Sequence, residues 1–328
     1  MYDVIGDIHG CADELVRLLE VLGYRELGGV YRHPSRQVLF CGDFIDRGPR
    51  IRDVVRICRG MCESGAAVAV LGNHELNALA FHTPHPAVEG EWLRPRTEQN
   101  VRQHQATLDQ LDARDLAEAL DWFRGLPASL DLGNLRAVHA CWDPADLQLM
   151  SEYSAAEGWL STEYLRRAFD TRDALFSAVE RVLKGPEVQL PGGVRLLDRE
   201  GHSRGRARIR WYEEPLGQTC AQYLLPSVEH PELGTVGVPS GVRPCPYPAD
   251  APPLFFGHYW LADRQPAPLA SNLACLDYSV ARGGSLAAYR FTGERVLRAE
   301  SFVTVSRREG LEGRGLSSEA AVGALQDH

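Results

Sequence analysis

Five short apolar runs in this 328-residue chain each end directly on residues that can hold a metal ion. Residues 2–5 lead into Gly6, Asp7, Ile8 and His9; residues 37–41 into Gly42 and Asp43; residues 67–71 into Gly72, Asn73 and His74. Residues 135–138 lead into His139, and residues 253–256 into Gly257 and His258. Asp7, His9, Asp43, Asn73, His139 and His258 make a mixed oxygen and nitrogen set that suits Mn, Fe or Zn, whereas calcium would draw on more oxygens. Each fragment alone is weak, because a single His at a strand end is more often a hydrogen-bonded structural residue. The repetition at successive strand ends separates a site from chance.

The chemistry such a set supports is hydrolysis of a phosphate ester or anhydride. Two cations roughly 3.5–4 Å apart can share a water, lower its pKa from about 15.7 toward neutrality, and steady the attacking and departing oxygens. Arg47, in the run 42–48, offers a planar fork that pairs two phosphate oxygens, which Lys cannot reproduce. A His held by a carboxylate can protonate a leaving group, and His74 with Asp46 fits that pairing.

These residues need a scaffold that delivers them to one edge. The first 80 residues alternate strand-like and helix-like stretches, the pattern of a largely parallel sheet covered by helices. Leu15, Leu18, Leu19 and Leu22 recur at helical spacing after Asp13, as do Val54, Val55 and Cys58 after Pro49. In open α/β sheets ligands bind beyond the carboxyl ends of strands, where glycine lets the chain turn sharply. Residues 98–124 read as helical, and a further helix is expected around 161–183. From 145 to 252 the pattern weakens into a stretch rich in Pro, Gly and Arg, read as an insertion or cap on a single domain spanning 1–305. The segments 273–278, 285–290 and 295–302 read as a closing antiparallel meander, and 306–328 as a frayed polar tail.

Composition narrows the partners. With 44% apolar residues the chain can bury a large core, and a formal net charge of −9 disfavours long nucleic acids. No run of 18 apolar residues is present, and Asp3 and Asp7 interrupt the start, so a transmembrane helix or signal peptide is not expected. Eight scattered cysteines lack a paired ligand spacing and read as packed, reduced thiols, making the cytoplasm the expected compartment. Cys58 and Cys62 read as helix packing.

The motifs GDIHG (6–10), GDFIDRG (42–48), GNHE (72–75), VHA (138–140) and GH (257–258) resemble the calcineurin-like metallophosphoesterase superfamily. They match the branch of serine/threonine phosphatases and diadenosine tetraphosphate hydrolases, with residues 2–49 most similar to bacterial PrpE-like hydrolases. The resemblance implies an α/β fold, a β-sandwich flanked by helices, and two divalent ions, Mn preferred, with Fe or Zn as alternatives. It implies Asp7, His9 and Asp43 around one ion and Asp43, Asn73, His139 and His258 around the other, with Asp43 bridging. It makes His74 the general acid, Asp46 its orienting carboxylate and Arg47 the phosphate clamp. Cys141 and Tyr259 depart from residues common in the family, at the rim rather than among the ligands.

The favoured substrate is a dinucleoside polyphosphate; a phosphoprotein is the alternative within the branch. A noncatalytic nucleotide or metal sensor is disfavoured because no ligand, acid or clamp position is missing. Residues 203–211 read as a strand with a basic face, from which Arg206, Arg208 or Arg210 could supply a second phosphate clamp, and Arg94 or Arg96 could do so instead. Trp211, Tyr212, Tyr259 and Trp260 read as core aromatics before base-stacking ones. His82 and His85 read as surface loop residues.

Overall fold

The computed structural model describes residues 1–197, 203–262 and 265–307. Its first half runs β1 (Tyr2–Ile5), α1 (Ala12–Val21), the hairpin β2 (Arg25–Leu27) and β3 (Val30–Arg32), β4 (Gln37–Phe40), α2 (Ile51–Glu63), β5 (Ala67–Ala69), α3 (Asn73–Phe81), α4 (Glu98–Gln110) and α5 (Ala113–Arg124). Then come β6 (Ser129–Asp131), β7 (Arg136–Val138), α6 (Pro144–Glu157), α7 (Thr162–Ala168), α8 (Ala174–Lys184) and the short strands β8 (Glu187–Gln189), β9 (Leu196–Leu197), β10 (Ser203–Arg204) and β11 (Arg206–Arg208). After α9 (Cys220–Tyr223) the chain closes through β12 (Leu254–Phe256), β13 (Leu273–Cys275), β14 (Asp277–Tyr278), β15 (Ser285–Phe291) and β16 (Phe302–Ser306).

Two sheets face each other. In one, β1, β4 and β5 are parallel neighbours and β15 joins β1 antiparallel, with β14 and β16 both paired to β15. In the other, β7, β12 and β13 are parallel and β6 pairs β7 antiparallel. Side chains alternate as the pleat requires. Val4, Leu39, Ala137, Phe255 and Ala274 fill the space between the sheets, while Ile5, Phe40, Val138, Phe256 and Cys275 pack outward under the helices. Both faces of each central strand are therefore apolar, which is why these runs read as continuous hydrophobic stretches.

The closing meander expected over 273–302 forms only in part: β14, β15 and β16 are successive antiparallel neighbours, but the first expected segment divides between the two sheets. Leu273–Cys275 runs parallel to β12 in the second sheet, and after Leu276 the chain crosses to the first sheet as β14. The last strand begins at Phe302, after a 3-10 turn over Ala299–Ser301, because Leu297 is drawn into the space between the sheets. The helical stretches 98–124 and 161–183 are each two helices. Asp112 and Asp173 accept backbone N–H groups at the start of α5 and α8, and such caps restart a helix where the apolar pattern alone reads through. The tail expected from 306 lies, from residue 308 onward, outside the described residues. No helix among the described residues is long and apolar enough to cross a membrane.

Candidate active site

The loops leaving β1, β4, β5, β7 and β12 converge at one edge of the paired sheets, and the backbone is strained to achieve it. His9, Asp43, Asp46, Arg47 and His258 all take positive φ, between 45° and 74°, a region that costs non-glycine residues about 1 kcal/mol or more. Two glycines make room. A Cβ on Gly257 would lie 1.9 Å from Asp7 Oδ1, and one on Gly72 would lie 2.3 Å from both Asp43 N and Asp43 Oδ1. Any side chain at either position would displace a carboxylate.

Asp43 stands at the centre. Its Oδ2 is 3.4 Å from His9 Nε2 and its Oδ1 is 3.4 Å from His139 Nε2, so each oxygen faces a different histidine. Asn73 Oδ1 lies 3.1 Å from His139 Nε2, and donor atoms of Asp43, His139 and His258 fall within 4.8 Å of one another. Asp7 accepts the His258 N–H at 3.0 Å. Nδ1 of His9 lies 2.8 Å from the Ile45 carbonyl and Nδ1 of His139 lies 2.7 Å from the Cys41 carbonyl. Donation there turns Nε2 toward Asp43, the arrangement that orients metal-binding imidazoles. His258 Nε2 is buried without a hydrogen-bond partner among the described residues, an orphan that a cation would satisfy. The donor set fits a pair of divalent ions.

The electrostatics agree with that fit. Burial, helped by Arg47 beside His9 and by Arg208 near His258, holds both imidazoles well below their usual range, leaving them neutral. Burial would also lower His139, but Asp43 and Asp7 outweigh it and raise that ring to about 10. Burial, with Asp277 nearby, pushes Asp7 up. Crowded carboxylates beside neutral imidazoles make a centre that a cation would balance.

Beside it, His74 Nδ1 lies 2.5 Å from Asp46 Oδ2, and Arg47 reaches His9 Nε2 and His74 Nε2, both at 3.3 Å. Arg47 also stacks on Trp260, 4.0 Å from guanidinium carbon to ring centroid. Trp260 is held at φ 52° with its N–H donated to Asp277 at 2.8 Å. Glu75 accepts from Asp43 N (2.9 Å) and Gly72 N (3.1 Å) on one oxygen, and from Phe44 N (2.8 Å) and Ile45 N (3.4 Å) on the other. Glu75→Gln sets an NH2 against N–H donors in a fully buried place, so it should cost about 1–3 kcal/mol and loosen Asp43. Thermal unfolding and metal titration together check this; a variant with wild-type Tm and wild-type metal affinity refutes it.

All six expected ligands, with His74, Asp46 and Arg47, thus lie together. The three strand arginines do not share one environment. Arg206 is exposed and pairs with Glu187 at 3.4 Å, and Arg210 lies 3.8 Å from Glu213. Arg208 donates to the Lys184 carbonyl and is the one whose charge reaches His258. Arg96 is stacked on Trp92 and Phe81, and Arg94 bonds Gln103. Trp211, Tyr212 and Tyr259 are core, whereas Trp260 is only half-buried and sits at the site rim. His82 is not a free loop residue: it caps α3 and reaches His104 at 3.1 Å. Glu75 and Asp277 received no role from the sequence, although Glu75 stands inside the motif at 72–75.

The model of the calcineurin-like phosphoesterase family matches residues 2–183, and the chain belongs to that family. A bis(5'-nucleosyl)-tetraphosphatase PrpE [asymmetrical] of Halalkalibacterium halodurans is 46% identical over 74 residues, 22% of this chain and 30% of that one. A symmetrical bis(5'-nucleosyl)-tetraphosphatase of Methylococcus capsulatus is 35% identical over 143 residues, 43% of each chain. The match thus spans less than half the length of these relatives. A protein serine/threonine phosphatase from Saccharomyces cerevisiae aligns over 95% of this chain and 81% of its own, at 12% identity and a TM-score of 0.49.

Proposed function

We propose that this protein is a two-metal hydrolase that cleaves a phosphoanhydride of a dinucleoside polyphosphate. The observation that carries the reading is Asp43, one carboxylate with an oxygen toward each of two histidine groups, beside an Arg and a His–Asp pair. The names of the two tetraphosphatase relatives favour the substrate class.

Asp7, His9 and Asp43 would hold one ion and Asp43, Asn73, His139 and His258 the other, with Mn the metal we favour. Bound there, the ions would supply a water of lowered pKa and neutralise phosphoryl charge. The chain's own residues do the rest. Arg47 pairs two phosphoryl oxygens, and its stack on Trp260 holds the fork flat toward them. Arg208, entering from the stretch 145–252 that we read as a cap, is the second clamp. His74 holds a proton at Nε2 for the departing oxygen while Asp46 accepts at Nδ1 and fixes the ring. We place the protein in the cytoplasm, a reading supported by six cysteines buried as free thiols.

Arg47→Lys keeps the charge and loses the fork, so kcat/KM should fall on the order of 10- to 100-fold, the worth of one charge-assisted hydrogen bond. Tm should barely move. Arg208→Ala should weaken substrate binding and Arg206→Ala should not; the reverse order would move the second clamp. The reading as a whole is tested on metal-stripped protein, with Mn, Fe, Zn or Mg restored singly, against dinucleoside polyphosphates, phosphopeptides and nucleoside monophosphates. Phosphopeptide turnover far above the rest would replace the substrate class, and no turnover with any metal would remove the enzyme reading.

A further inference from the structure

Asp46 does more than face His74. Its Oδ1 takes His104 Nδ1 at 2.8 Å and the Thr107 hydroxyl at 2.6 Å, and that hydroxyl accepts the Asp46 N–H at 3.0 Å. His104 Nε2 continues to His82 Nε2 at 3.1 Å. Three imidazoles and one carboxylate therefore form an unbroken chain from α3 and α4 to the candidate acid. Asp46, His104 and Thr107 are at most 3% exposed, so no bulk solvent competes for these contacts.

The direction of each bond follows from chemistry. Burial alone would raise the Asp46 carboxyl, but hydrogen bonds from His104 and His74 hold it well below the usual range, so it accepts on both oxygens. Both rings therefore donate from Nδ1. The two facing Nε2 atoms of His104 and His82 then share one proton between them, which ties the tautomer of each ring to the other. A carboxylate anchored by His74 alone could rotate about its last bond. Anchored on the other oxygen by a ring and a hydroxyl, it cannot.

We propose that His104, fixed in its tautomer by His82, is a positioning residue for the acid: it pins one oxygen of Asp46 so that the other holds the His74 ring on the leaving group. This rests on the reading of His74 as general acid.

The test compares His104→Asn, whose amide nitrogen stands near the place of Nδ1, with His104→Gln, whose amide nitrogen stands near that of Nε2, together with Thr107→Val. Each is made in the wild type and in His74→Ala, and kcat and KM are measured for an aryl phosphate, a dinucleoside polyphosphate and an alkyl phosphate at verified metal occupancy. Expected is a kcat loss of about 10- to 100-fold on the alkyl substrate for His104→Gln, since small misplacements of catalytic groups cost up to about 100-fold. The loss should be a few-fold on the aryl substrate, KM should hold, and His104→Asn should recover most of it. In the His74→Ala background the same changes should do nothing more. Equal losses on all substrates, no recovery by Asn, or losses that persist without His74 would overturn the proposal and make His104 a packing residue. Should His74→Ala itself lose aryl and alkyl turnover equally, the acid reading fails and this inference with it. Should His74→Ala show the ordering and the His104 variants not, the inference alone fails.

Discussion

Asp43→Asn is expected to abolish turnover and to weaken both metal ions together. Its two oxygens lie 3.4 Å from His9 Nε2 and 3.4 Å from His139 Nε2, on opposite sides of one carboxylate. An amide offers one oxygen and one NH2, so one ion loses its ligand whichever way the group turns. One ion would keep Asp7 as its only anionic ligand, and the other would keep none. Changes one shell further out typically cost 10–100-fold in metal affinity, and here the loss should exceed about 100-fold. Backbone strain does not confuse the outcome, because Asn tolerates the positive φ of this position as readily as Asp. Metal per chain after gel filtration, read beside activity, decides it: two ions retained at normal affinity would end the bridging assignment.

The second large effect concerns His74. If it protonates the departing oxygen, its importance scales with how much that oxygen needs a proton. His74→Ala should then cost an alkyl phosphate about 10²–10⁴ in kcat/KM and an aryl phosphate far less, with a nucleotide leaving group between them. Asp46→Asn should follow the same order with smaller amplitude, since the ring remains but loses its anchor. A competing role is visible in the geometry, for His74 Nε2 lies 3.9 Å from Asp43 Oδ2 and falls into one donor cluster with His9 and Asp43. Metal content separates the two. Full occupancy with the leaving-group order supports the acid, and a lost ion with equal losses on every substrate makes His74 a ligand.

The site was legible because its residues hang from strand ends. Gly6-Asp7, Gly42-Asp43, Gly72-Asn73 and Gly257-His258 each follow an apolar run, and a buried strand must break at its end, so position along the chain already implies position at one edge. The strand assignments held for the same reason around β1, β4, β5, β7 and β12. What failed was information the local pattern does not contain. Residues 273–278 read as one strand-like run, yet they change sheets at Leu276, a choice made by the partner strands β12 and β15. His104 lies on a polar helix with no motif, and only tertiary packing shows that it meets Asp46 58 residues away. Arg206 and Arg208 look equivalent along the strand. What distinguishes them is the chain each faces, Glu187 for one and the Lys184 carbonyl for the other.

The expected ligands come from both sheets: Asp7, His9, Asp43 and Asn73 follow β1, β4 and β5, while His139 and His258 follow β7 and β12. An ion held by Asp43, Asn73, His139 and His258, as proposed above, would therefore be a cross-brace between the two halves of the sandwich. Binding the folded chain and not the unfolded one, it would add about 2.7 kcal/mol of stability at a hundredfold excess over Kd. That energy is concentrated at one rim, so chelation should loosen the molecule as a hinge loosens, with the strand ends near the site gaining amide exchange first and the far edge last. Starvation for metal would then be sensed as susceptibility to proteolysis before it was sensed as lost secondary structure.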